Sequence, residues 1–92
     1  MRIGAFRWTR KNIQHIHRHR VKPREVEEAF LQGLDFRGVG QGRFILIGQS
    51  EAGRWLCVVF EILGGDIAYV ITAREMTQRE KHRFRRRMKG IQ

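Results

Sequence analysis

Residues 43–73 read RFILIGQSEAGRWLCVVFEILGGDIAYVITA, and their pattern indicates a β-sheet. It contains three runs that are rich in β-branched and aromatic residues, at 43–49, 54–63 and 67–73. The runs are separated by two short segments, 50–53 and 64–66, whose glycines and polar residues are typical of hairpin loops. The stretch therefore predicts three consecutive antiparallel strands.

Two further segments are candidates for strands. Residues 34–39 precede the first run, and residues 3–8 lie close to the N-terminus. Within the runs the apolar residues occupy both alternating positions, as in Trp-Leu-Cys-Val-Val-Phe at 55–60, so neither face of the sheet is predicted to be fully solvated. We expect helices on one face and contact with a partner on the other.

Two helices are predicted before the sheet. Thr9 supplies the hydroxyl of an N-cap for a helix that runs towards His19 and carries a thin apolar face. Pro23 suits the first position of a second helix, and the carboxylates that follow it lie where the helix dipole favours negative charge. Gly33 is predicted to end this second helix.

A third helix is predicted near the C-terminus. Residues 77–80 read Thr-Gln-Arg-Glu, a capping box in which the hydroxyl and the carboxylate satisfy each other's backbone N–H groups. The apolar stripe of this helix is narrow and consists of Phe84, Met88 and Ile91. The chain is thus predicted to be a single α+β domain with two N-terminal helices, an antiparallel sheet of about three to five strands and a basic C-terminal helix.

Charge is segregated along the chain. Residues 1–24 hold eight Lys or Arg and no carboxylate, residues 25–73 hold three against seven, and residues 74–92 hold eight against two. The net charge of +10 is therefore the sum of +8, −4 and +6. Because each phosphate that Lys or Arg neutralises releases counterions, both ends of the chain are predicted to favour RNA or DNA as a partner.

The sequence also indicates a compartment. Cys57 is the single cysteine, so no disulfide can form within the chain, and a reducing environment is expected. The longest unbroken apolar stretch, 55–60, is far shorter than the roughly 20 residues of a membrane-spanning helix. We therefore expect a cytoplasmic protein with no membrane segment.

Three histidines fall within five residues, at His15, His17 and His19. His15 and His19 are one helical turn apart, and two imidazoles beside a phosphate can act as general acid and general base. The alternative is a solvated helix whose histidines only contact phosphate or neighbouring residues. Histidines at this spacing also form half of a zinc site, but the sequence offers no second half, so neither a metal nor a cofactor is expected.

Arginine and lysine residues complete the candidate site. Arg74 follows an apolar strand and is a candidate catalytic or phosphate-binding group, with a salt bridge to Glu75 or Glu80 as the structural alternative. The candidate nucleic-acid-binding residues are Lys11, Arg18, Arg54, Arg79, Arg83 and Arg86.

A family resemblance runs in order through nearly the whole chain, in the segments 8–16, 19–21, 23–30, 42–44, 51–54, 58–60 and 70–77. These segments resemble those of BrnT-like toxins. The resemblance implies a RelE-like fold, RNA cleavage within a type II toxin-antitoxin pair, and a small ribbon-helix-helix antitoxin as partner. By position it implies an active surface of Lys11, His15, His19, Arg54 and Arg74.

One departure from the family bears on the first helix. Arg20 stands where BrnT-like toxins often have a glycine, so we expect no left-handed turn at this position.

Three functions follow from these observations. The leading hypothesis is a metal-independent endoribonuclease toxin, acting on free or ribosome-bound RNA, with His15, His19 and Arg74 as catalytic residues. The alternative is a non-catalytic basic module that binds RNA or the ribosome. A third possibility is an interaction protein whose basic surface binds an acidic partner, and both a homodimer and a hetero-oligomer with an antitoxin are compatible with the sequence.

Overall fold

The structure, a computed structural model, describes residues 3–91, with side chains as far as Lys89. Its elements follow one another as β1 (Ala5–Arg7), α1 (Arg10–His17), α2 (Pro23–Leu31), β2 (Gly33–Gly40), β3 (Arg43–Gln49), β4 (Trp55–Leu63), β5 (Ile67–Glu75) and α3 (Gln78–Ile91). The predicted α+β class, the two N-terminal helices and the basic C-terminal helix are confirmed. Both candidate segments, 34–39 and 3–8, contain strands.

The five strands form one sheet in the order β1-β5-β4-β3-β2. The strands β2 to β5 are antiparallel to one another, as predicted. The short β1 instead runs parallel to β5, with Ala5 opposite Ile67 and Arg7 opposite Tyr69. The sheet is therefore mixed, because β1 leads directly into α1 and α1 packs on β5, which leaves the outer edge of β5 as the place for β1.

One face of the sheet is buried beneath α1 and α2. Its fully or almost fully buried side chains are Leu46, Leu56, Val58, Phe60, Ala68, Val70 and Ala73. Ile16 of α1 and Val26 and Ala29 of α2 complete this core, and none of the three is exposed to solvent. Val26 and Ala29 are three residues apart, so they lie on the same side of α2.

The second helix lies very close to β3. A Cβ atom built at Gly48 would stand 2.1 Å from the carbonyl oxygen of Ala29, so only a glycine allows this approach. The carboxylate of Glu25 accepts a hydrogen bond from the backbone N–H of Lys22 at 3.0 Å and caps the start of α2.

Asn12 ties the first helix to the sheet. It is 2% exposed, and its amide nitrogen donates to the carbonyl oxygens of Arg7 at 3.0 Å and Val70 at 3.1 Å. Its amide oxygen accepts from the backbone N–H of Thr9 at 2.7 Å, while the Thr9 hydroxyl caps α1 as predicted. A single buried side chain thus joins β1, α1 and β5.

The first helix ends at His17, before the predicted end at His19, because the chain turns sharply there. Arg20 takes the left-handed conformation, with φ of 59°, contrary to the prediction from its side chain. The backbone N–H of Val21 donates to the carbonyl of Ile16 at 3.1 Å and closes the turn. Hydrogen bonding to the Arg20 carbonyl, described below, also supports this conformation.

Candidate active site and basic surfaces

The surface formed by Lys11 and His15 of α1, together with Arg18 and His19 of the turn that follows it, is called the histidine face. The rings of His15 and His19 have centroids 5.9 Å apart and are tilted by 52°. His15 is half-buried and His19 is exposed, while the buried Ile16 anchors the helix between them. Two imidazoles at this separation can reach two oxygens of one bound phosphodiester.

The cations of the histidine face are open to a ligand. Within residues 3–91, neither Lys11 nor Arg18 forms an ion pair with a carboxylate. Lys11 precedes His15 by one helical turn, and Arg18 precedes His19 by one residue. The face therefore combines two acid-base groups with two cations that are not paired with any carboxylate of the described residues.

Arg54 lies at the end of the histidine face, but its guanidinium is already engaged in hydrogen bonds and ion pairs within the protein. Nη1 donates to both carboxylate oxygens of Glu25 at 2.9 Å and to the carbonyl oxygen of Arg20 at 2.9 Å, and Nη2 lies 3.5 Å from Glu75. The hydrogen bond to Glu25 raises the pKa of Arg54. Burial opposes ionisation of Glu25, but hydrogen bonds from Arg54 and from the Lys22 backbone outweigh it and lower the pKa of Glu25. Arg54 thus joins the turn after α1, the start of α2 and the end of β5.

Arg74 lies on the opposite face of the sheet from α1. Its Cα partner is Cys57, which pairs in turn with Ile47, and these residues alternate with the side chains that contact α1 and α2. The two guanidinium nitrogens donate to the two carboxylate oxygens of Glu80 at 2.7 Å each. The structure therefore does not bring Arg74 to the histidine pair, and it places this residue in the salt bridge that the sequence offered as the alternative.

This salt bridge also anchors the start of α3. The Thr77 hydroxyl and the Glu80 carboxylate form the predicted capping box, with hydrogen bonds of 3.1 and 2.9 Å. Hydrogen bonds from the Arg74 guanidinium and then from the Thr77 backbone lower the pKa of Glu80 to about 2. Phe84, one turn further, is buried against Trp55, with ring centroids 5.9 Å apart.

Between α3 and this second face lies a hollow of about 190 Å³, called here the arginine cleft. Its cationic residues are Arg37, Arg74, Arg83 and Arg87, and its apolar lining consists of Ile45, Ile47, Cys57, Met76 and Phe84. The Arg87 guanidinium pairs with Asp35 and lies 5.4 Å from the Phe84 ring centroid. Burial raises the pKa of the Cys57 thiol, so this group is neutral at physiological pH.

The remaining predicted nucleic-acid-binding residues belong to α3. Arg79, Arg83 and Arg86 are exposed, and none has a carboxylate partner in the described part of the chain. Arg83 also lines the arginine cleft. The sequence analysis did not predict Arg37 or Arg87 as part of this surface. The alternation of side chains along β2 is the signal for Arg37, because its strand partner Ile45 lies on the same face of the sheet.

Two absences concern the described residues only. Within residues 3–91, no group of three or more His, Cys, Asp or Glu side chains lies close enough together to hold a metal ion. Of the helices in the same range, none has the length and apolar content that crossing a membrane requires.

The fold is a small α+β domain of the kind found in a solved ribonuclease toxin. The crystal structure of Brucella abortus BrnT matches with a TM-score of 0.69 and 22% identity, over 80% of this chain and 97% of that chain. A family model described as "Ribonuclease toxin, BrnT, of type II toxin-antitoxin system" matches residues 8–80. The chain therefore belongs to the BrnT toxin family of type II toxin-antitoxin systems. No curated protein sequence matches it.

Proposed function

We propose that this chain is an endoribonuclease toxin that cuts RNA without a metal ion and uses the histidine face as its active surface. The match of the BrnT ribonuclease toxin family to residues 8–80 is the observation that carries the proposal. The pairing of His15 with His19 at 5.9 Å supports the choice of residues, since metal-free cleavage needs one base and one acid.

The proposed reaction is an internal transfer at phosphorus. One imidazole removes the proton from a ribose 2′-OH, the 2′-oxygen bonds to phosphorus, and the bond to the 5′-oxygen breaks. The other imidazole, in its protonated form, donates a proton to the departing 5′-oxygen. Lys11 and Arg18 stabilise the extra negative charge on the phosphorane oxygens. The products are a 2′,3′-cyclic phosphate and a free 5′-hydroxyl.

Arg74 has a different role in this proposal from the one predicted. Since it lies across the sheet from the histidines and binds Glu80, we assign it to holding the start of α3 and to the wall of the arginine cleft. The exposed Arg79, Arg83 and Arg86 bind the RNA backbone at a distance from the cut. Arg54 acts on the histidine face only by holding the Arg20 carbonyl.

Cleavage of a synthetic RNA in EDTA tests the proposal. We expect His15→Ala and His19→Ala each to lower the cleavage rate by about a hundredfold or more, because each removes one proton-transfer group. His17→Ala is the matched control, since it removes an exposed imidazole from the same helix but lies off the His15-His19 pair. Its rate should remain close to that of the parent protein.

The reaction products and the two variants distinguish a wrong choice of catalytic residues from a wrong mechanism. Full activity in both His15→Ala and His19→Ala would refute the assignment of the acid and base, even if RNA is cut. Cleavage that EDTA abolishes, or products without a cyclic phosphate, would refute the metal-free mechanism itself.

A non-catalytic RNA- or ribosome-binding module is the second candidate. It is favoured by the distribution of unpaired cations over both faces of the molecule, with Lys11 and Arg18 on one side and Arg83 on the other. Tight, salt-sensitive binding of RNA with no cleavage over hours would establish this function instead.

The proposed partners are RNA, free or on the ribosome, and a small ribbon-helix-helix antitoxin, with the cytoplasm as the compartment. Membership of a type II toxin-antitoxin family supports the antitoxin. Inducible expression should arrest growth, and co-expression of the adjacent gene should restore it. Growth arrest that persists with every neighbouring gene would argue against this partner.

A further inference from the structure

The strand β2 forms an open edge of the sheet. In the described part of the chain it pairs only with β3, and seven of its eight residues are exposed, with Asp35 as the exception. Its outer backbone N–H and C=O groups therefore face away from the sheet. It contains no lysine or proline, which are residues that commonly protect such an edge. An edge of this kind accepts an additional strand.

One side of this edge is apolar. On the face covered by α1 and α2, the side chains of Leu31, Leu34 and Phe36 are 85%, 45% and 37% exposed. A hollow of about 250 Å³ opens among Leu34, Phe36, Phe30 and Leu46. It is wide enough to accept aliphatic side chains from a neighbouring strand.

The other side of the edge is cationic. Arg37 projects with its Cα partner Ile45 onto the opposite face and stands at the arginine cleft beside Arg83 and Arg87. Within the residues whose side chains are described, the carboxylate of Asp35 pairs with Arg87 alone among these three arginines. A strand laid along β2 would thus meet leucine and phenylalanine on one side and guanidinium groups on the other.

We propose that the β2 edge binds an extended acidic segment of a protein partner, which adds as a further strand of the sheet. Because alternate side chains of a strand point to opposite faces, the complementary segment alternates apolar residues with carboxylates. A second copy of this chain does not fit, since its charge is also +10 and its own β2 would present Arg37 rather than carboxylates. This inference goes beyond the proposed function, because it holds whether or not RNA is cut.

A pair of synthetic peptides tests this binding mode with the full chain. The first is a capped peptide as long as β2 in which leucine alternates with glutamate. The second has the same composition but groups the leucines and the glutamates in separate blocks. We expect the alternating peptide to bind about tenfold or more tightly and to protect β2 amides from hydrogen exchange. Equal affinity of the two peptides would overturn the proposal.

Backbone pairing is tested on the peptide, so that the fold of the protein is untouched. A strand directs alternate N–H groups to opposite edges. Methylation of one alternate set of peptide nitrogens should abolish binding, while methylation of the other set should preserve it. Equal effects of the two sets would exclude strand addition.

The charge requirement is tested with two protein variants. Arg37→Glu should weaken binding of the alternating peptide about tenfold or more, whereas Arg85→Glu makes the same formal charge change at an exposed position of α3 and should alter it little. Equal losses would mean non-specific attraction and would overturn the proposal. Protection of the β2 amides by an RNA oligonucleotide but not by the peptide would assign the edge to RNA instead. These readouts measure binding alone, so they can fail while RNA cleavage succeeds.

Discussion

At the residue scale, Gly48 sets how closely α2 can approach the sheet. Its φ is not in the left-handed region, so the need for glycine comes from space and not from backbone conformation. The Ala29 carbonyl that a Cβ would strike belongs to the backbone of α2, which cannot move aside as a flexible side chain can. The spacing between helix and sheet therefore depends on a hydrogen atom at this position.

Gly48→Ala should destabilise the protein by about 3 kcal/mol or more, because the helix must shift to relieve the overlap. Gly64→Ala is the matched control, since a Cβ there meets no atom within 4 Å. Its effect should stay within about 0.5 kcal/mol. Urea unfolding of both variants measures the difference, and equal stabilities would contradict the close packing of α2 on β3.

The sequence predicts the helix caps but not the conformation of Arg20. Thr9 and the Thr77-Glu80 pair are predictable as caps because their chemistry acts on backbone groups only three residues away. The left-handed Arg20 could not be predicted in this way. Its conformation is stabilised by Arg54, which is 34 residues distant in sequence, so no local pattern contains the cause.

At the element scale, α3 is held by a few contacts, which include the Arg87–Asp35 ion pair in its C-terminal half. The buried Phe84 and the Arg74-Glu80 salt bridge are prominent among them, while Met88 is 37% exposed and the Ile91 side chain lies outside the described residues. The predicted apolar stripe is therefore confirmed at Phe84 and only weakly buried at Met88. The ionisation of Glu80 is expected to matter for the stability of the helix.

Acid should weaken α3 within a defined range of pH. The pKa of Glu80 is lowered from 4.5 to about 2 by the Arg74 guanidinium and the Thr77 backbone, so folding favours the carboxylate. The stabilisation is complete above pH 4.5 and is lost as the pH falls towards 2. NMR titration of the Glu80 carboxyl should give the low pKa, and Glu80→Gln should be less stable than the parent at neutral pH with a difference that shrinks on acidification. A Glu80 pKa near 4.5 would contradict the salt bridge.

The inner strands of the sheet are easier to predict from the sequence than the two edge strands. The runs of β3, β4 and β5 are apolar on both faces, because the sheet is covered on one side by α1 and α2 and partly on the other by α3. The edges β1 and β2 carry weaker patterns, since they are short or largely exposed. The parallel pairing of β1 could not be deduced, because it depends on where α1 comes to rest on β5.

At the scale of the whole molecule, the two basic ends of the chain lie on different faces of the sheet. The histidine face lies on α1 and the turn that follows it, and the arginine cleft is closed by α3 on the other side. The sequence predicted both basic segments from composition alone. It could not place them relative to one another, because the face on which Arg74 lies is set by the alternation and by the bulge of β5 at Ile71, where Val59 pairs with Thr72 and Phe60 with Val70.

The salt dependence of the RNA affinity should arise in part from the exposed arginines of α3. If Arg79, Arg83 and Arg86 each contact one phosphate of a single strand, replacing all three by Gln should reduce the slope of log affinity against log salt by about 2, or roughly 0.7 for each contact. A control that removes the same charge at Arg10, Arg24 and Arg43 should change the slope less. Anisotropy titrations with an uncleavable RNA measure both, and equal changes would show that only net charge matters.

The hydrogen bond from Asn12 to the Val70 carbonyl has a consequence for folding during translation. Translation delivers α1 early, yet the strand on which it rests, together with the partner of β1, comes from residues 67–75. A nascent chain that stops before β5 contains the histidines but not the support that orients them. The surface proposed to cut RNA therefore cannot be assembled on the ribosome until β5 has been made.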